Sequence, residues 1–190
     1  GDAGTVVDRL ERRSDPAKRV FVVHRIDLPT SGLVVLAHSA PANRALAECF
    51  REHRIEREYR AVLAGVPAAS TLRMDAPIAG RRAVTHLEVL EALAAGGASL
   101  VRLQLETGRT HQIRIHCAGL GHPVLGDRRY GPQPPPRSAP RLALHAAVLG
   151  FRHPRTGEPL RFESPMPADL ADWLQALRTN GANDESAQCE

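Results

Sequence analysis

Two neighbouring segments, residues 83–92 and 98–106, constrain the fold most, because each alternates polar and apolar residues over the length of a strand. The residues between them, 94–97 (AAGG), are suited to a hairpin loop. The sequence therefore predicts a domain rich in sheet with few helices. Other apolar or alternating runs predict further strands at residues 20–23, 33–37, 58–65, 72–78, 142–151 and 159–163.

Few segments have a helical pattern. Within residues 40–53, Leu46 and Phe50 lie four residues apart on one helical face. Because 190 residues with 43% hydrophobic content suffice for one substantial core, we expect a single domain over residues 1–178. The remaining predictions are an irregular lead-in or helix end at 2–13, helices at 109–120 and 167–178, a proline-rich loop at 131–140 and a disordered tail at 179–190.

Composition limits the classes of function. The net charge of +4 permits a polyanionic partner without establishing one. Cys49, Cys117 and Cys189 are far apart and lack the paired spacing of a metal site, which fits a reducing compartment. His111 and His116 do not have the HExxH spacing of a zinc site. Because no apolar run approaches the ~20 residues of a membrane span, we expect a soluble, cytoplasmic protein.

The nonapeptide HRIDLPTSG, residues 24–32, places one acidic residue on a turn between two apolar runs. A carboxylate held in this way can act as a nucleophile, whereas the structural alternative is that Asp27 only caps the turn. His24 and Arg25 favour a function, because a turn cap needs no potential cations beside it. The catalytic loop of a protein kinase is excluded, because Ile26 interrupts the His-Arg-Asp triplet.

A second cluster, ETGRTHQIRIH, spans residues 106–116. If the segment is helical from Arg109 onward, its amino end could hold a phosphate or orient a nearby carboxylate. A helix with a polar, solvated face is the structural alternative. On such a helix these side chains fall near one face: Thr107, His111, and Arg114 or Ile115.

Four motifs in order resemble one family over residues 20–165, about three quarters of the chain. They are HRIDLPTSG, EREYRAVLAG, ETGRTHQIRIHCAGLGHPVLGDRRYG and LALHAAVLGFRHPRTGEPL. Together they resemble the RluA-type RNA pseudouridine synthases. The resemblance implies an α+β fold with a mixed, mostly antiparallel sheet, flanking helices and a central cleft. It also implies a cofactor-free and metal-free monomer that flips specific uridines out of rRNA or tRNA and isomerises them to pseudouridine.

The resemblance assigns roles to individual residues. It implies that Asp27 is the catalytic aspartate, Tyr59 packs on the target base, and Arg114 pairs with Asp27. Tyr59 could instead be an ordinary half-buried strand residue. Arg25 matches a position that can reach into the RNA helix. Further residues predicted to contact RNA are His24, Thr30, Arg109, His111, Gln112 and Ile115.

Other features of the motifs have structural interpretations. We expect Asp127 to order a loop and His145 to be a hydrogen-bonded core histidine. The family's strand-rich lead-in is expected to be short or missing here, and no S4-type RNA-binding domain is apparent. An inactive RNA-binding protein or RNA chaperone with the same fold is the alternative function. The presence of Asp27, Tyr59 and Arg114 favours the enzyme.

Overall fold

A computed structural model describes residues 6–13, 19–93, 97–131 and 139–186. The elements in chain order are α1 (Val6–Arg13), β1 (Phe21–Val22), β2 (Ser31–Gly32), β3 (Leu36–Ala37), α2 (Ala40–Arg51), β4 (Glu56–Ala64), β5 (Thr71–Met74), β6 (Thr85–Leu93), β7 (Ala98–Leu105), α3 (Gln112–Gly119), β8 (Leu144–Arg152), β9 (Pro159–Glu163) and α4 (Ala168–Ser186). Within the described residues, a seven-stranded sheet has the order β2-β8-β4-β7-β6-β5, with β9 also paired to β8, and β1 and β3 form a separate pair.

The sheet confirms the predicted α+β class. Its pairs are antiparallel except for β2 with β8, which is parallel. The segments predicted to form a hairpin pair as β6 and β7, with Leu93 opposite Ala98 at the closing end. Their loop lies largely outside the described residues, as does most of the predicted proline-rich loop. None of the described helices is long and apolar enough to cross a membrane.

The core lies where β4 and β7 meet the helices. Ala61, Val62 and Leu63 are consecutive and buried, so both faces of β4 are covered there. Leu170 and Leu174 of α4 belong to the same apolar cluster. The packed central strands therefore hold the loops at their ends in fixed positions.

The strands flanking the HRIDLPTSG turn are shorter than predicted. The strand predicted at residues 33–37 is limited to Leu36–Ala37, because the preceding N–H groups bond elsewhere. Leu33 donates to the carbonyl of Ala146, and Val35 donates to the side chain of His24. The turn is thus attached to neighbouring elements instead of extending a regular hairpin.

Two predicted helix boundaries were wrong. α3 begins at Gln112 instead of residue 109, because His111 adopts a left-handed conformation with φ 56°. α4 continues to Ser186, beyond its predicted end at residue 178 and into the tail predicted to be disordered. By contrast, α2 matches its predicted range closely, and the side chain of Ser39 caps its first turn.

Candidate active site

A cavity of about 510 Å³ lies beside the HRIDLPTSG turn. Its walls come from this turn, from α2, from β4 and from the segment that leads into α3. The described lining includes a single carboxylate and four arginines, so cationic side chains dominate it. These charged residues are Asp27, Arg25, Arg51, Arg57 and Arg109.

Two backbone contacts that follow Asp27 in the chain hold its turn at this cavity. The N–H of Thr30 donates to the carbonyl of Asp27 over 2.9 Å and closes the turn. Gly32 then packs so closely on β8 that a Cβ atom would lie 2.2 Å from the carbonyl oxygen of Ala146. The φ of +110° also requires glycine at this position. The close contact with Ala146 shows that the turn packs directly on the central sheet.

The predicted core histidine supports the same turn. His145 Nδ1 lies 2.9 Å from the hydroxyl of Ser31, and its Nε2 lies 3.0 Å from the carbonyl oxygen of Ser164. The ring is buried. Both nitrogens therefore have partners within the protein, which confirms the structural interpretation of His145.

Arg114 bridges two carboxylates. Its Nε and one terminal nitrogen donate to Asp127 over 2.7 and 2.9 Å, and the other terminal nitrogen lies 3.3 Å from Asp27 Oδ2. The pairing implied by the resemblance is therefore present, but Asp127 is the closer partner. Hydrogen bonding to Asp127 is the main cause that raises the pKa of Arg114. Asp127 therefore holds the Arg114 guanidinium in position, and the guanidinium also faces Asp27.

Asp127 orders its loop, as predicted, and also fixes Arg114. Its side chain is fully buried, and one oxygen accepts the N–H groups of Arg129 and Tyr130. Burial acts to raise the pKa of Asp127, but the hydrogen bonds from Arg114 and from this backbone outweigh it and lower the pKa. The side chain is therefore an ionised support for Arg114 at neutral pH.

Tyr130 is a residue of this site that the sequence analysis did not single out. Its hydroxyl lies 3.0 Å from Nδ1 of His111, and the Arg114 guanidinium lies 5.1 Å from its ring centroid. His111 Nε2 is 3.8 Å from Asp27 Oδ1, too far for a hydrogen bond. The only sequence signal for Tyr130 was its place in the third quoted motif, three residues after Asp127.

Tyr59 lies on β4 and lines the same cavity as Asp27. Burial raises the pKa of its phenol; Arg57 opposes this change and Asp27 adds to it. The phenol is therefore neutral at physiological pH, with an aromatic ring at the cavity wall. The structure thus brings together Asp27, Arg114 and Tyr59, which are far apart in sequence.

His24 is not the cation that the sequence suggested. Its Nε2 accepts the N–H of Val35 over 3.1 Å, and its ring stacks on Phe50 with centroids 4.4 Å apart. Burial, with a further effect of the nearby Arg57 charge, lowers the pKa of His24 to about 4. The neutral ring joins the turn to α2, and His24 is also among the residues that line the cavity.

The low pKa of His24 predicts an acid-dependent loss of stability. Below about pH 6.5 the unfolded chain binds a proton at His24 that the native protein excludes until about pH 4. The free energy of unfolding should therefore fall by up to about 3 kcal/mol as the pH drops through this window. In urea unfolding, His24→Gln should flatten this part of the pH profile, and the exposed control His38→Gln should not. An unchanged slope in His24→Gln would contradict the prediction.

Gln112, predicted to contact RNA, has its amide bonded within the protein. Its oxygen accepts the hydroxyl of Thr107 and the N–H of Arg109 over 2.7 and 3.0 Å. Its nitrogen donates to the carbonyl of Val84 and the hydroxyl of Thr85 over 2.9 and 3.0 Å. The amide therefore fastens the start of α3 to β6.

The other predicted RNA contacts differ in position. Arg25 is exposed at the cavity, and Arg109 lines it while its Nε donates to the carbonyl of Arg82. Thr30 lines it too, and its buried hydroxyl has no partner among the described residues. Ile115 is not among the described lining residues. Among the residues that the structure describes, no group of three or more His, Cys, Asp or Glu residues could hold a metal ion.

The chain as a whole is similar to known proteins. Residues 4–119 match the family model described as RNA pseudouridylate synthase. The uncharacterized RNA pseudouridine synthase YlyB of Bacillus subtilis is 42% identical over 86% of this chain and 57% of its own length. Ribosomal large subunit pseudouridine synthase D of Zymomonas mobilis is 40% identical over 87% of this chain and 58% of its own. The chain thus spans about three fifths of these relatives.

A solved structure is also similar. Human RNA pseudouridylate synthase domain containing 1 superposes with a TM-score of 0.73 and 31% identity. The match covers 92% of this chain and 85% of the human one. The likeness therefore extends over nearly all of both folds.

Proposed function

Because the chain belongs to the RNA pseudouridylate synthase family, we propose that it isomerises specific uridines in structured RNA to pseudouridine. The observation that supports this most directly is the position of Asp27. Its carboxylate lies at the cavity within 3.3 Å of the Arg114 guanidinium, and Tyr59 lines the same space. A carboxylate, a fixed cation and an aromatic face are thereby available to one nucleotide.

The proposed reaction breaks the bond between ribose C1′ and uracil N1 and forms a bond between C1′ and C5. The hydrogen on C5 leaves as a proton, and N1 gains one, so the reaction is an isomerisation without a redox change. Asp27 can attack C1′, attack the base or remove a ribose proton. All three routes require the carboxylate in its ionised form, and the Arg114 guanidinium lies 3.3 Å from one of its oxygens.

Tyr59 gives the flipped base a place to stack. Extruding a nucleotide from its helix costs a few kcal/mol, and stacking on an aromatic ring returns ~1–3 kcal/mol per base. The neutral phenol on β4 provides such a ring beside Asp27. The four lining arginines suit the phosphates that accompany the base.

The substrate we propose first is ribosomal RNA of the large subunit, since two relatives are named ribosomal large subunit pseudouridine synthase D, with transfer RNA second. We place the activity in the cytoplasm, in a monomer. The test is tritium release from both RNAs transcribed with uridine labelled at C5, followed by nucleoside analysis for pseudouridine. Heat-inactivated protein is the control. Binding of these RNAs at fixed salt without tritium release would favour the inactive RNA-binding alternative and contradict the proposal.

A further inference from the structure

Arg57 is a buried cation that lines the cavity. No carboxylate among the described residues pairs with it. It is 9% exposed and lines the cavity from β4. One terminal nitrogen donates to the carbonyls of Leu105 and Glu106 over 3.3 and 3.0 Å, and its buried Nε has no partner among the described residues. Arg114, by contrast, is similarly buried and contacts two carboxylates.

The surroundings of Arg57 confine its guanidinium without neutralising it. Its Cζ lies 5.7 Å from the ring centroid of Phe50, and a Cβ atom on Gly108 would come within 2.7 Å of its NH1. Its neighbours His24 and Tyr59 are uncharged at neutral pH. Burial lowers the pKa of Arg57, but an arginine remains charged in proteins. The cavity therefore holds a fixed positive charge that lacks an anion.

A buried charge without a counter-charge is costly, so it is retained most readily where a ligand supplies the opposite charge. We propose that Arg57 binds a backbone phosphate next to the target uridine, an inference that rests on the proposed function. The planar guanidinium matches phosphate oxygens and forms strong charge-assisted hydrogen bonds with them.

The register of β4 places this phosphate site beside the base site. Arg57 and Tyr59 are two residues apart and both line the cavity, so they share one face of the strand. This spacing separates their Cα atoms by about 6.6 Å. One nucleotide can therefore place its base on Tyr59 while its phosphate reaches Arg57. The intervening Glu58 contacts Arg60 and Arg102 instead.

The test compares ligands that differ only in their phosphate. Uridine, uridine 5′-monophosphate, uridine 3′-monophosphate and inorganic phosphate are titrated at fixed ionic strength and followed by NMR. In the wild type, one monophosphate should bind about 10-fold or more tightly than uridine, as expected for a charge-assisted contact. Arg57→Met should remove this advantage and leave uridine binding unchanged. The control Arg54→Met removes an exposed arginine paired with Glu52 and should keep the advantage.

Gly108→Ala provides a second variant that keeps the positive charge. Its added Cβ should displace NH1 of Arg57, the far end of a flexible side chain, so the phosphate advantage should fall while the fold persists. This variant keeps the test valid if Arg57→Met does not fold. If the folded variants still bind the monophosphate more tightly than uridine by the wild-type factor, the proposal is contradicted. Arg57 is then only a structural donor to the carbonyls of Leu105 and Glu106.

Two further outcomes separate the proposals. If inorganic phosphate binds as tightly as either nucleotide, the site takes a free anion and its assignment to RNA is overturned. If the wild type releases no tritium from RNA while Arg57→Met still abolishes the phosphate advantage, the proposed function fails and the phosphate contact stands. The binding measurement needs no turnover, so the two failures cannot be confused.

Discussion

Asp27→Asn is expected to release tritium from C5-labelled RNA at least about 10³-fold more slowly than the wild type, because the amide can act neither as nucleophile nor as base. The melting temperature should hardly change. The Asp27 side chain is 19% exposed, and Arg114 keeps its closer partner Asp127 when Asp27 loses its charge. The substitution therefore does not leave Arg114 unpaired and should cost no more than about 1 kcal/mol of stability.

The matched control for this variant is Asp172→Asn, which removes one carboxylate from an exposed position of α4. It should retain the wild-type rate. Filter binding at fixed salt should show that Asp27→Asn still binds RNA, since the lining arginines are unchanged. Tritium release by Asp27→Asn at the wild-type rate would remove Asp27 from the mechanism.

The sheet and the position of Asp27 could be predicted because their signals are local. Alternation along residues 83–92 and 98–106 identifies β6 and β7, and their short connection determines that they pair. The turn chemistry around Asp27 likewise lies within nine residues. The motif resemblance added that Tyr59 and Arg114 belong with Asp27, a relation that no local pattern contains.

The features that the sequence analysis missed depend on burial and on contacts between distant segments. His24 was taken as a potential cation, but its charge is suppressed by burial and by Arg57, 33 residues later. The N-terminal end of α3 was misplaced because the left-handed His111 is held by Tyr130, a contact across the loop. The sequence analysis did not single out Arg57, and only the fold shows that it is buried.

Arg114→Met is expected to abolish turnover and also to destabilise the protein by about 3–5 kcal/mol. The motif resemblance implied only the pairing with Asp27, which by itself would predict a defect in turnover alone. In the structure, Arg114 is also the cation that compensates Asp127, whose side chain is fully buried. Removing one member of a buried ion pair leaves the other charge uncompensated, which is the source of this cost. Urea unfolding measures the stability, and tritium release measures the turnover.

The double variant Arg114→Met/Asp127→Asn separates the two effects. The amide introduced by Asp127→Asn keeps a side-chain oxygen that can accept the N–H groups of Arg129 and Tyr130, but it carries no charge. The double variant should therefore recover most of the lost stability, giving a coupling energy of several kcal/mol in a double-mutant cycle. Turnover should stay absent, because Asp27 still lacks its guanidinium partner. A double variant as unstable as Arg114→Met would show that the lost stability does not come from an unpaired Asp127. Restored turnover would show that Asp27 acts without Arg114.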